Sequence, residues 1–322
     1  MPLLGILACA RADAPSRDTA AGATAAAVGV SPAAAPRAAT PADTDDFGAP
    51  LPRDAARATR VVSLNPAATE VIFAIGAERA LVGRSAWDEF PDAARALPAV
   101  GDGIRPNIEA VLRLRPTLVI LYATAENRPA ADAFARAGVP TIALRVDHIA
   151  QFFTLTERLG VALGAEARAR TVRDSVRRTL DTVRALTRGV TATRVVWPLW
   201  QQPIMVVGRG SYLDELLTIA GGENVFHDLE APSPSVNIEE IARRNPDAIV
   251  ASARTTRELA SRSQWRAIRA SRDGHFVQHD PTLTGRPSVV LGMAAVSLAR
   301  ALHPELADRL PVLPATPTPA RQ

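Results

Sequence analysis

The residues of this 322-residue chain best suited to hold a small molecule are its few aromatic ones. Trp87 sits in the loop Ser85-Ala86-Trp87-Asp88-Glu89-Phe90-Pro91, and Tyr122 ends the apolar run Thr117-Leu118-Val119-Ile120-Leu121-Tyr122. Trp197 and Trp200 follow Arg194-Val195-Val196, Trp200 being the better candidate to face a ligand. A ring at the end of a strand offers a flat face and one polar handle, which suits capture of a flat or bulky ligand. Arg105 and Arg286 could pair with carboxylates of a ligand. Bond-breaking machinery is not apparent. There is no Gly-x-Ser-x-Gly elbow and no Walker phosphate loop. Gly208-Arg209-Gly210-Ser211 is a glycine loop before a helix, able at most to cradle an anion. His148, His227, His275, His279 and Asp280 are possible zinc or manganese ligands. His275 and His279 share a strand face but stand about 13 Å apart, too far to share one metal within that strand.

A second kind of chemistry comes from a repeat. Asn107-Ile108-Glu109 and Asn237-Ile238-Glu239 lie 130 residues apart. Each opens a helix with a good N-cap and an acid in the first turn. Each helix reaches a proline (Pro116, Pro246) that leads into an apolar strand. The match suggests two related lobes, each presenting one acidic residue at an equivalent place.

The elements around these residues alternate. Strands are expected at 60–64, 81–83, 117–122, 141–144, 194–197, 247–251 and 275–279, with helices between them. Continuous apolar runs of strand length fit sheets covered on both faces, so the class is α/β with mainly parallel sheets flanked by helices. From 165 to 189 the pattern changes. Val172, Val176, Leu180, Val183 and Leu186 recur at helical spacing, which predicts one long, rigid amphipathic helix joining two similar lobes, 59–164 and 190–308. Residues 10–58 are rich in Ala and Pro and read as a disordered tether, and 309–322 as a disordered tail.

Composition narrows the classes. Hydrophobic residues make up 47% and charged residues 22%, enough for a sizeable core. The formal charge is +4, from 37 basic residues, all arginine, against 33 acidic ones. The signs are interspersed, which excludes a basic stripe for nucleic acid. No apolar run is long enough for a spanning helix. The single cysteine, Cys9, excludes an intrachain disulfide and a cysteine-rich metal site. Residues 1–9 resemble a truncated or atypical bacterial lipoprotein signal, with Cys9 as the lipidated residue. They lack a charged n-region, and Leu7 is bulky for its place.

The sequence resembles the periplasmic substrate-binding proteins of cobalamin, ferric-siderophore and haem ABC importers, over about residues 59–304. The strings that carry the likeness are Arg60-Val-Val-Ser-Leu-Asn-Pro-Ala-Ala-Thr-Glu70, Leu97-Pro-Ala-Val-Gly101, Asn107-Ile-Glu109 with Arg115-Pro116, and Leu213 to Phe226. The resemblance implies a monomer that buries its ligand between two lobes and delivers it to a membrane permease and its ATPase. No catalytic cofactor is implied, and any membrane contact is through the lipid anchor. Glu109 and Glu239 fall where such proteins dock onto permease arginines. The cobalamin-binding members are most similar: they carry an aromatic at the positions of Trp87 and Tyr122 and an aspartate at that of Asp280. Two of their tryptophan positions hold Gly103 and Ser233 here, and a ligand-facing arginine position holds Thr284. A corrinoid is the leading ligand. A siderophore or haem is the alternative, with Tyr122 or His148 available as an axial haem ligand, and an α/β enzyme is more remote.

Overall fold

A computed structural model of the chain describes residues 43–312, except 53 and 55–57. Cys9, most of the expected tether and the tail beyond 312 lie outside the described residues.

The first lobe is built from β1 (Val61–Leu64), α1 (Pro66–Ala74), β2 (Leu81–Arg84), α2 (Ile108–Arg113), β3 (Leu118–Tyr122), α3 (Arg128–Arg136), β4 (Thr141–Leu144) and α4 (Ile149–Ala162). Its four strands are parallel in the order β2-β1-β3-β4. All four residues of β1 are buried, as an apolar run covered on both faces should be. The helix α5 (Glu166–Thr187) follows, 22 residues or about 33 Å long.

The second lobe contains β5 (Thr193–Val196), the antiparallel hairpin β6 (Pro198–Gln201) and β7 (Ile204–Val206), α6 (Tyr212–Ile219), β8 (Gly222–Asn224), α7 (Ile238–Arg244) and β9 (Ala248–Ala251). It continues with α8 (Ala253–Ser261), α9 (Arg269–Arg272), β10 (Phe276–Gln278), α10 (Pro281–Thr284) and α11 (Leu291–Leu302). Hairpin aside, its strands run parallel in the order β8-β5-β9-β10, the order of the first lobe repeated.

The repeat at Asn107 and Asn237 is structural as well as textual. Asn107 Oδ1 accepts from Ala110 N–H at 2.9 Å, and Asn237 Oδ1 from Glu240 N–H at 2.7 Å. Both helices are followed by a left-handed non-glycine residue before the proline, Arg115 at φ 48° and Asn245 at φ 45°. Such a backbone is strained for an L side chain. In both lobes an arginine from the neighbouring strand entry holds the turn. Arg60 donates to Leu114 O at 2.7 Å and Arg115 O at 3.1 Å. Arg194 donates to Arg244 O at 2.9 Å and Asn245 O at 3.1 Å.

Helix α5 lies where the spacing placed it and buries Ala169, Val176, Leu180, Val183 and Thr187. Glycines let one helix from each lobe approach it closely. A Cβ at Gly160 of α4 would stand 2.6 Å from Ala169 Cβ, and one at Gly292 of α11 would stand 2.9 Å from Thr179 Cβ. One hydrophobic cluster runs from β1 and α4 through α5 to α11, so the lobes share a core along this helix.

The structure differs from the expected layout in three places. Residues 145–164, outside the expected strands and the long helix, hold the 14-residue α4. The tether was extended to residue 58, but 43–52 pack on the first lobe. Asp45 accepts backbone N–H bonds from Phe47 (2.9 Å), Ala49 (2.8 Å) and Ala143 (2.8 Å). Asp46 pairs with Arg158 at 2.6 Å, and Leu51 is buried. The tail was started at 309, yet Leu310 is buried in the main core. Asp45→Ala removes the acceptor of three N–H groups and should cost about 2 kcal/mol in urea unfolding, while exposing the 43–60 stretch to proteolysis. Wild-type stability and an unchanged digestion pattern would refute this role for the segment.

Candidate functional site

A parallel sheet gathers the C-terminal ends of its strands at one edge, and in α/β sheets ligands bind there. Here the two edges face one another across a cleft of about 910 Å³. The first lobe lines it with Asn65 and Pro66 at the start of α1, Trp87 after β2, Tyr122 at the end of β3, and Asp147 and His148 before α4. The second lobe adds Ser211 and Tyr212 at the start of α6, Glu230 and Pro232, and Arg286 between α10 and α11.

Trp87 is 66% exposed, so its indole is offered rather than packed. Its loop is pinned from inside. The buried Asp88 carboxylate accepts from Ser85 N–H at 3.0 Å and from the hydroxyls of Ser85 and Thr69. Burial pushes the Asp88 carboxyl up and these bonds pull it back. Tyr122 donates its phenol O–H to Asp147. Burial and that carboxylate push the phenol well above its usual range, so it stays a donor.

The lobes touch at the cleft. Tyr212 N–H donates to Asp147 O at 3.0 Å. Glu215 of α6 accepts from Ile149 N–H at 3.0 Å through Oε2, and its Oε1 lies 2.6 Å from His148 Nδ1. Arg286 donates through Nε and Nη2 to Oε1 of Glu70 on α1. Glu70 is wholly buried. Burial lifts its carboxyl from 4.5 to about 7, against the pull of Arg286 and of the Ser288 hydroxyl. The arginine and carboxylates lining the cleft are therefore Arg286, already committed to Glu70, and Glu89, Asp147 and Glu230, which are paired in turn with Arg95, Arg145 and Arg209 from outside the lining.

Of the expected ligand contacts, Trp87, Tyr122 and Arg286 come together in this cleft. Three do not. Trp200 lies on the β6–β7 hairpin and lines a separate hollow with Leu199, Arg254 and Arg262. Asp280 caps α10, accepting from Thr282 N–H at 2.8 Å and its hydroxyl at 2.7 Å. Arg105 is exposed in the loop before α2, outside the lining. Trp197 is core, 4.8 Å from the His279 ring. Gly103 has φ 86° and its Cβ would meet Leu64 O at 3.0 Å, so this loop leaves no room for an aromatic residue. Among the described residues, no group of three or more His, Cys, Asp or Glu is placed to hold a metal ion. Glu70, Asp147 and Glu215 were missed as site residues. Glu70 had a signal, an acid in an otherwise apolar helix, but its partner lies 216 residues away.

Two like-built parallel lobes, one long joining helix and a ligand-sized cleft between the strand ends define a bilobal binding protein. A family model described as periplasmic binding protein matches residues 61–284, and the chain belongs to that family. It is 28% identical over 215 residues to the vitamin B12-binding protein of Yersinia pestis (strain Pestoides F), covering 63% of this chain and 77% of that one. The periplasmic vitamin B12 binding protein BtuF of Vibrio cholerae superposes with a TM-score of 0.66 at 25% identity, covering 78% of this chain and 98% of the other. A periplasmic heme binding protein from Pseudomonas aeruginosa does so with a TM-score of 0.66 at 27% identity, covering 76% and 93%.

The raised Glu70 pKa has a consequence for folding. Between 4.5 and about 7 the folded chain holds a proton that the unfolded chain releases, so stability falls as pH rises through that window. The loss should be about 3 kcal/mol. Glu70→Gln should flatten the slope, leaving Asp88, whose raised carboxyl acts with the same sign, and His279, whose lowered imidazole acts with the opposite one. Urea unfolding across this pH range checks it, and an equal slope in wild type and variant would count against it.

Proposed function

We propose that the chain is the extracytoplasmic substrate-binding component of an ABC importer, capturing a corrinoid in the cleft and delivering it to a membrane permease and its ATPase. It acts as a monomer, without catalysis or a catalytic cofactor, held to the membrane through lipid on Cys9. No helix among the described residues is long and apolar enough to cross a membrane.

The observation that carries the ligand class is the acceptor-rich lining. A corrin ring is rimmed by neutral carboxamides, whose N–H groups suit Asp147, Glu89 and Glu230. Trp87 and Tyr122 supply the ring faces. Haem is the second reading, favoured by the presence of Tyr122 and His148 in the cleft and by the likeness to the Pseudomonas protein. Calorimetry with cobalamin, cobinamide, haemin and a ferric siderophore decides among these. Trp87→Ala should weaken corrinoid binding about tenfold, near 1.4 kcal/mol. Absence of corrinoid binding to the wild type at micromolar concentration would sink the assignment.

Glu109 and Glu239 are exposed in the first turns of α2 and α7, at equivalent points of the two lobes. They are the docking residues of this reading. Glu109→Ala combined with Glu239→Ala should abolish delivery by the reconstituted transporter while ligand affinity stays within about twofold. A loss of affinity would remove them from this role.

A further inference from the structure

We propose that one face of the second lobe, built from α8, α9, the turn between them and the β6–β7 hairpin, rests on an anionic lipid surface. The partner is a bilayer with acidic phospholipid headgroups. This adds a second membrane contact to the lipid on Cys9 of the proposed function, and it does not depend on what the cleft holds.

Charge comes first. The signs are interspersed along most of the chain, but residues 253–273 carry Arg254, Arg257, Arg262, Arg266, Arg269 and Arg272 against only Glu258 and Asp273. That excess of four equals the formal charge of the whole chain. The elements there are α8, a 3-10 turn (Ser263–Ala267) and α9, packed on one another. Leu259, Trp265, Ile268 and Ala270 are buried in a core of the second lobe, which leaves the arginines on the outer side. Arg257, Arg266 and Arg272 are exposed. Arg254 pairs with Glu258 at 2.9 Å and Arg269 with Asp247 at 2.8 Å. The other four form no ion pair among the described residues. Unpaired arginines spread over three short elements suit a layer of anionic headgroups rather than one acidic group.

Apolar surface comes second. Trp200 is 62% and Leu199 38% exposed on the hairpin. The pairing register shifts there, and these successive residues both line one hollow with Arg254 and Arg262. The indole Nε1–H donates to Gln202 O at 3.0 Å. Its one donor is satisfied within the hairpin, so the ring can leave water without stranding a polar group. An indole and a leucine beside arginines make an interfacial contact: the apolar groups enter the headgroup boundary and the guanidinium groups meet phosphates. The face also adjoins α7, which packs on the 3-10 turn and carries Glu239.

The test is co-sedimentation of the full chain, carrying Cys9→Ser so that no acyl chain contributes, with vesicles. The chain should sediment with equimolar phosphatidylglycerol and phosphatidylcholine, not with phosphatidylcholine alone, and salt should release it. Arg257→Gln combined with Arg266→Gln should weaken binding about twentyfold, from about fivefold for each charge. Arg170→Gln combined with Arg178→Gln, likewise exposed but on α5, should leave it within about twofold. An equal loss in both pairs would reduce the effect to net charge and overturn the face. Brominated phosphatidylcholine in the anionic vesicles should quench tryptophan fluorescence in wild type and Trp87→Phe but not in Trp200→Phe; quenching that survives in Trp200→Phe and is lost in Trp87→Phe would overturn the orientation. Urea midpoints equal to wild type show that the variants are folded. Binding to neither vesicle overturns the proposal. So does binding that appears only once the permease is reconstituted in the vesicle, which would give the face to that protein.

Discussion

A carboxylate shielded from water needs a partner, and Glu70 is shielded completely at the floor of the cleft. Its partner is Arg286, from the other lobe. That one pair constrains much of the site. It ties α1 to the segment entering α11, so the lobes cannot part there without hydrating both groups. It also occupies the arginine lining the cleft, while the carboxylates there are paired as well, Glu230 with Arg209, Glu89 with Arg95 and Asp147 with Arg145. Removing one member of such a pair costs several kcal/mol because the other is left buried and alone. On the far side α5 is seated against α4 and α11 through Gly160 and Gly292, in a core common to both lobes. The lobes are therefore held together by a polar tie between α1 and the segment entering α11 and by a packed helix common to both.

The repeat explains why the site falls between the lobes. Each lobe uses the strand order second, first, third, fourth, and each begins its third strand from a proline after a left-handed residue held by an arginine. Duplicating the topology yields two sheet edges of the same kind. Apposing them brings together the starts of α1 and α6 and the loop before α4. The first lobe contributes Trp87 and Tyr122, while the second contributes Arg286, Glu215 and Tyr212. The halves are alike in backbone and unlike in side chains, so one scaffold made twice forms an asymmetric pocket.

The sequence made the architecture legible because its signals are local. Buried strands read as apolar runs, α5 read from its spacing, and the two lobes read from Asn107 and Asn237. Trp87 and Tyr122 were found because they end strands or follow them. What was not legible depended on distance along the chain. Glu70 and Arg286, His148 and Glu215, and Asp46 and Arg158 are separated by 216, 67 and 112 residues. No local rule pairs them. Trp200 misled because it also follows a strand, yet β6 turns back on β7 and carries it to another face. Residues 43–52 misled because their composition is that of a linker, while Asp45 gains three amide donors that only the folded lobe and its own turn provide.

The same contrast bears on the two lobe glutamates. In a chain with 37 arginines, surface acids readily find partners: Glu240 takes Arg243 and Arg244, Asp228 takes Arg244, and Asp247 takes Arg269. Glu109 and Glu239 form no ion pair among the described residues, although Arg113 and Arg243 stand one helical turn on. Arg243 turns to Glu240 instead. A first-turn acid is already stabilised by the exposed amides of its helix, so it does not need a cation to be tolerated. That leaves both carboxylates available at matched points of the repeat, set by asparagine caps and away from the cleft lining. In the proposed function, ligand chemistry and docking chemistry are then drawn from different parts of the same duplicated unit: the strand ends line the cleft, and the opening turns of α2 and α7 are exposed away from it.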